Sequence, residues 1–209
     1  MDDDVGKATP ELVDLAIRAA SEARTVDLTH ISQRITAGPR WPDVWPGEHY
    51  KLLAGIVKVL QPRTAVEIGT EKGLSALSLL KYAPPDARLV TFDLIPWKQC
   101  PGHVLRDSDF ADGRLIQHLD DLSQSIGFGK HRALIESADL IFVDAAKDGA
   151  QEWRFLHYFA QCRFREPPLI VFDDIRVWNM LAVWRSIDRP KLDLTSFGHW
   201  SGTGLVRWT

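Results

Sequence analysis

Thr64-Ala65-Val66-Glu67-Ile68-Gly69-Thr70-Glu71-Lys72-Gly73 is followed by the apolar stretch Leu74 to Tyr82. The first five residues suit a short strand. Gly69 to Gly73 is a turn, and the spacing of the leucines predicts a helix over 74–82, closed by Pro84-Pro85. A strand that passes through a glycine turn into a helix is the opening unit of an α/β sheet.

The same alternation continues outward. Leu89–Leu94, Arg114–His118, Ala138–Asp144 and Leu169–Asp174 are further strands. Helical spacing marks Thr9-Pro10 to about Arg24, His49 to Gln61, a segment with Trp153, Leu156 and Phe159 on one face, and a segment carrying Val177, Met180, Leu181, Trp184 and Ile187. Leu192–Phe197 and Gly204–Trp208 flank a glycine-rich turn and predict a closing antiparallel pair. Strands that are nearly all apolar belong to a parallel sheet covered on both faces. The expected fold is therefore a doubly wound, mostly parallel α/β sheet. Residues 1–48 read as a helical extension and loop, and 49–209 as the main domain. The stretch 95–112 shows no clear pattern.

Composition narrows the function. The chain has 209 residues, 45% apolar and 25% charged, with a net charge of −3 from 25 basic and 28 acidic residues. That balance lacks the overall basic excess that nucleic-acid phosphates attract. Cys100 and Cys162 are too few for a disulfide framework. No apolar run reaches the roughly 18 residues of a membrane span. The start Met1-Asp2-Asp3-Asp4 is acidic, unlike a signal peptide. A cytoplasmic protein with no membrane partner is expected. The seven histidines lack zinc-motif spacing.

Ligands of such sheets bind at the carboxyl ends of the strands. Glu67, Gly69, Thr70, Gly73, Asp93, Asp144, Asp173 and Asp174 all fall there. The dinucleotide glycine pattern and the phosphate-binding loop are both absent. An acidic residue ahead of the glycine is unsuited to a phosphate and suits a cationic ligand. Asp93 can accept hydrogen bonds from ribose hydroxyls. A positively charged nucleoside without phosphate fits this profile, which points to S-adenosylmethionine.

Val66 to Leu80, VEIGTEKGLSALSLL, resembles motif I of class I S-adenosylmethionine-dependent methyltransferases, in the form used by catechol O-methyltransferase and its relatives. The resemblance covers about residues 47–209 and implies seven strands, the last antiparallel. Gly198–Leu205 resembles one branch of small bacterial methyltransferases. By the same resemblance, Glu67, Gly69, Thr70, Gly73, Asp93 and Asp144 would bind the cofactor, with Asp120 or Asp121 at the adenine ring. Asp144-Ala145-Ala146-Lys147 is similar to the segment that supplies a metal aspartate and, three residues later, a lysine base. Asp173-Asp174 stands where that enzyme has Asp-Asn, and an acidic pair there also resembles the cephalosporin hydroxylase and sugar O-methyltransferase group.

Asp144, Asp173 and Asp174 would thus hold a divalent cation, Mg²⁺ by ligand type. Lys147, its pKa depressed by that cation, would take the acceptor proton. The expected reaction is O-methylation of a small-molecule hydroxyl. A metal-independent methyltransferase and a catalytically silent cofactor-binding protein stay open as alternatives. His49-Tyr50 is a candidate contact to the methionine part, and His199 equally a solvated loop residue. Trp41, Trp45, Trp97, Trp178 and Trp200 suit an acceptor wall or plain packing. Oligomeric state is open, a homodimer being the default among oligomers.

Overall fold

The computed structural model describes residues 6–209, and the acidic start Met1–Asp4 lies outside the described residues. The first helix, α1 (Pro10–Ala23), has Pro10 in its first turn and the Thr9 hydroxyl accepting from the Leu12 amide at 3.3 Å. A short helix α2 (Thr29–Ser32) and α3 (His49–Leu60) follow. Then strands and helices alternate: β1 (Thr64–Ile68), α4 (Leu74–Lys81), β2 (Arg88–Phe92), β3 (Leu115–His118), α5 (Ser125–Glu136), β4 (Leu140–Val143), α6 (Ala150–Phe159), β5 (Leu169–Asp173), α7 (Met180–Ser186), β6 (Lys191–Asp193) and β7 (Thr203–Arg207).

The seven strands form one sheet in the order β3-β2-β1-β4-β5-β7-β6. All pairings are parallel except those of β7, which runs antiparallel to both β5 and β6. This is the doubly wound sheet expected from the strand pattern. Alternate residues of one strand serve opposite faces: Leu140 and Phe142 join the core under α1, α3 and α4, while Ile141 and Val143 join the core under α5, α6 and α7. Burial on both faces is why the strands carry so little polar alternation.

Helix α1 packs across α3 as part of the first core, through Leu12, Leu15, Ala16 and Ala19. The crossing is close because α3 presents Gly55 there, where a Cβ would lie 2.3 Å from the Ala19 carbonyl oxygen.

Three local readings differ from the structure. Helix α5 has no counterpart in the sequence pattern. It carries Gly127 and Gly129 and buries only Phe128, His131 and Ile135, so its apolar stripe is thin. On α6 the buried face is Phe155, Leu156 and Phe159, and Trp153 stays 48% exposed. Strand β6 stops at Asp193, whose Oδ1 accepts from the Thr195 amide at 2.8 Å and turns the chain out of the sheet. Among the described residues no helix is long and apolar enough to cross a membrane.

Candidate active site

The sheet reverses its order beside β1, where β1 lies between β2 and β4. Parallel register pairs Ile68 with Val143 and Val143 with Phe172. The next residues, Gly69, Asp144 and Asp173, are therefore neighbours at one edge. Such a switch point opens a crevice between adjacent loops. Here the crevice is a cavity of about 260 Å³, lined among others by Gly69, Glu71, Asp93, Asp120, Asp121 and Asp144. A larger cavity of about 820 Å³, between α1 and residues 192–197, shares no lining residue with it.

Gly69 has φ of +104°, and a Cβ on it would lie 1.9 Å from the Asp144 carbonyl oxygen. Only glycine lets the two strand ends approach so closely. Gly69→Ala is expected to lower stability by at least about 2 kcal/mol, since both the positive φ and the clash must be relieved. Urea denaturation measures this directly.

Asp93 holds the turn. Its Oδ2 accepts from the amides of Thr70 (3.0 Å) and Glu71 (2.9 Å), and its Oδ1 from those of Leu94 (2.7 Å) and Ile95 (3.2 Å). It faces the cavity while shaping the loop that a ligand would meet. The Thr70 hydroxyl is turned away from the cavity, onto Thr91 Oγ1 at 2.7 Å. Gly73, with φ of +83°, starts α4 beneath Leu105.

Glu67 is fully buried on the α3–α4 face of the sheet rather than lining the cavity. Neither carboxyl oxygen makes a well-formed hydrogen bond. Burial pushes its pKa up to about 8, partly offset by the hydroxyls of Ser75 and Thr91.

Asp120 and Asp121 part company in the structure. Asp120 Oδ2 is engaged by Lys130 Nζ (2.8 Å) and His131 Nε2 (2.7 Å), and these bonds hold its pKa below the usual carboxylate range. Asp121 caps its own turn through Oδ1, which accepts from the Ser123 amide at 2.8 Å.

The three carboxylates expected to converge do so. Lys147 Nζ stands among them, 2.6 Å from Asp144 Oδ1, 3.5 Å from Asp173 Oδ2 and hydrogen-bonded to Asp174 Oδ2. Burial opposes the lysine's charge, but Asp144 and Asp173 outweigh it and the pKa is raised. The lowered pKa expected for Lys147 is not what the surrounding protein groups produce; they hold it as an ammonium. Asp144 is itself raised by burial and by the charge of Asp173. Asp173, 2% exposed, is driven the other way: burial would raise it, yet His49, His199 and Lys147 lower it well below its ordinary value.

Lys147 has φ of +59° and Asp174 φ of +57°. Neither is glycine, so surrounding bonds must hold them. Glu152, buried on α6, does so for the lysine loop by accepting from the amides of Lys147 and Gly149, each at 2.9 Å. The Ser201 hydroxyl hydrogen-bonds Asp174 Oδ1.

Two histidines complete the cluster. His49 Nδ1 and His199 Nδ1 each lie 3.3 Å from Asp173 Oδ1. His199 Nε2 lies 3.3 Å from Glu48 Oε2, and its Nδ1 is 2.8 Å from Ser201 Oγ. Burial disfavours charge on His199, but the bonds to Asp173 and Asp174 win and raise its pKa to about 10. His199 is thus a site residue rather than a solvated one, and Glu48, Glu152 and Ser201 escaped sequence reasoning. The antiparallel return was the available signal: Asp173 pairs with Thr203, so residues just before β7 must lie beside the end of β5. Backbone bonds then dock Gly198 and Trp200 on Gly47, which brings His199 to α3.

A family profile described as a methyltransferase domain matches residues 66–175, more than half of the chain. The chain belongs to this methyltransferase family. It is accordingly an S-adenosylmethionine-dependent methyltransferase of class I by family and fold. No curated protein matches the sequence. Among solved structures, the methyltransferase resembles SAH-bound PaMTH1 of Podospora anserina, with TM-score 0.58, 18% identity, and 98% of this chain and 90% of that one covered. It also resembles the O-methyltransferase TomG of Streptomyces achromogenes, solved with SAM and involved in tomaymycin synthesis, with TM-score 0.53, 20% identity, and 94% and 90% covered. A third is an O-methyltransferase from Bacillus cereus in complex with SAH, with TM-score 0.52, 15% identity, and 91% and 90% covered. At these identities the likeness establishes the fold. The matched span runs from Val66 past Asp174 and so contains the turn, the cavity floor and all three converging carboxylates of this methyltransferase.

Proposed function

We propose that this methyltransferase transfers the methyl group of S-adenosylmethionine to a hydroxyl of a small molecule, with a divalent cation at the carboxylate edge. The observation that carries the reading is the convergence of Asp144, Asp173 and Asp174 beside the cavity that ends at Gly69. The O-methyltransferases named above share this fold, which supports oxygen as the methyl acceptor.

The residues present fit the cofactor. The cavity floor is a glycine with no room for a side chain, and its rim is acidic, as a cationic nucleoside requires. Asp121 keeps one carboxylate oxygen for an exocyclic amine, whereas Asp120 is taken by Lys130 and His131. When bound, S-adenosylmethionine supplies a methyl group activated by its sulfonium. Asp93 keeps the Gly69–Glu71 turn in the shape that receives it.

Asp144, Asp173 and Asp174 would hold the cation, and a Lewis acid there lowers the pKa of a hydroxyl. Lys147, held as an ammonium by its carboxylate neighbours, places positive charge where an acceptor oxygen develops negative charge, so its contribution is electrostatic. Trp178 and Trp200, 77% and 70% exposed, stand one on the loop after β5 and one beside His199, and offer flat surfaces to an acceptor.

A second reading, metal-independent transfer, is favoured by one observation: the Lys147 ammonium already contacts all three carboxylates, where a cation would sit. Calorimetric titration with S-adenosylmethionine, with Mg²⁺ and again after chelation, separates the two. Micromolar binding, about −8 kcal/mol, supports the cofactor; loss of methyl transfer to hydroxyl acceptors on chelation supports the cation. Absence of S-adenosylmethionine binding in both conditions overturns the proposal. Asp121→Ala is expected to weaken S-adenosylmethionine about tenfold, near 1.4 kcal/mol, and Asp120→Ala much less, in the same titration.

A further inference from the structure

Helix α5 buries only Phe128, His131 and Ile135, so one of its few core positions is an imidazole. His131 stands edge-on to Phe92 of β2, with ring centroids 4.7 Å apart, and its Nε2 meets Asp120 Oδ2 at 2.7 Å. A polar ring in the core of a weakly apolar helix is costly unless something binds it.

His118, the last residue of β3, completes the group. Its ring centroid lies 4.7 Å from that of His131. Among the described residues neither of its ring nitrogens has a hydrogen-bond partner. Burial, and then the neighbouring His131, hold its pKa below the ordinary 6.5, so the ring is neutral at physiological pH and has a lone pair to give.

One ligand atom each from His118, Asp120 and His131 fall within 4.8 Å of one another. Two imidazoles and a carboxylate hold a zinc ion at about 2.0–2.2 Å. Rotation of the exposed side of the group would reach that geometry, the Asp120–His131 pair opening and His118 moving in. The ligands come from a strand end, a loop and a helix, which is why their spacing in sequence is no zinc motif.

We infer that His118, Asp120 and His131 bind a transition-metal dication of the Zn²⁺ type, which staples α5 to the end of β3. Imidazole nitrogens favour zinc, cobalt and nickel over Mg²⁺. Three protein ligands leave a fourth position for water. Lys130 Nζ, 2.8 Å from Asp120 Oδ2, is the competing cation, and its side chain is mostly exposed and free to swing into solvent. This site shares no residue with Asp144, Asp173 and Asp174. It meets the cofactor cavity through Asp120. Asp121 comes next, and α5 rests on it, since a Cβ on Gly127 would lie 2.2 Å from the Asp121 carbonyl oxygen. A bound ion therefore fixes the loop at that end of the cavity.

Zn²⁺ is the probe, added to the full-length protein stripped of metal, with Mg²⁺ in roughly 100-fold excess. Calorimetry reads binding, and thermal denaturation reads the staple. Expected are micromolar Zn²⁺ binding and a melting temperature higher by about 5 °C or more at roughly 100 times Kd. His118→Gln should weaken Zn²⁺ at least about tenfold and remove most of the thermal shift. Lys130→Ala should bind Zn²⁺ more tightly, because Asp120 loses its competing cation. The exposed Lys130 position decides alone where His118→Gln does not fold. Absence of Zn²⁺ binding, an affinity unchanged in His118→Gln, or one not raised in Lys130→Ala overturns the site. S-adenosylmethionine binding and methyl transfer are read separately, so such a failure leaves the proposed function standing.

Discussion

Asp173→Ala is expected to cost about 3–5 kcal/mol of stability at neutral pH, because it leaves buried cationic partners without their counter-charge. Asp173 is 2% exposed and is the shared partner of Lys147, His49 and His199. Burial alone would raise its pKa, but these neighbours, His49 foremost, lower it. A carboxylate with a depressed folded-state pKa contributes stability above its unfolded value, here the ordinary 3.8, and loses it as pH falls through the folded value. The difference between wild type and variant should therefore be full at pH 7 and shrink below about pH 4. Urea denaturation across that range measures it. A flat difference down to pH 3 would show that the destabilisation comes from lost packing. Methyl transfer should fall about 10²–10³-fold in the same variant, the scale for losing one preorganised electrostatic group.

Glu67→Gln should act in the opposite direction on stability. The Glu67 carboxyl is fully buried without a well-formed hydrogen bond, and burial pushes its pKa up to about 8 from 4.5. A carboxyl with a raised folded-state pKa favours the fold below its unfolded value and loses that contribution as pH rises through the folded one. Wild type should thus lose a few kcal/mol between about pH 4.5 and 8, from this group alone. Glutamine has the same shape and no charge to desolvate, so the variant should lack this slope and be the more stable protein at pH 8. Thermal denaturation at pH 5 and pH 8 tests it, and an unchanged slope in Glu67→Gln would sink the assignment to Glu67. Cofactor affinity should not follow stability. Glu67 lies under the Gly69–Gly73 turn, so a positioning role predicts weaker S-adenosylmethionine binding in the more stable variant.

Much of this protein is readable from residue order alone. Five of its strands announce themselves as apolar runs bounded by turns, and Thr64–Gly73 predicts the crevice, because a parallel sheet leaves its ligand loops at the carboxyl ends of strands. Asp93, Asp144, Asp173 and Asp174 could be placed there by position on their strands. Helix α5 could not, since two glycines and a thin apolar stripe leave little periodic signal.

What the tertiary structure alone decided is who meets whom at Asp173. His49 opens α3 ahead of the first strand, and His199 precedes the last. Nothing local in either segment marks a shared site. They meet because β7 returns antiparallel beside β5 and because Gly198 and Trp200 pair with Gly47. The protonation of Lys147 was likewise out of reach, because it depends on three carboxylates and a buried Glu152 drawn from β4, β5 and α6. Periodicity reports which face of an element is buried. Electrostatics at a site depends on distances across elements, and those exist only once the sheet order is set.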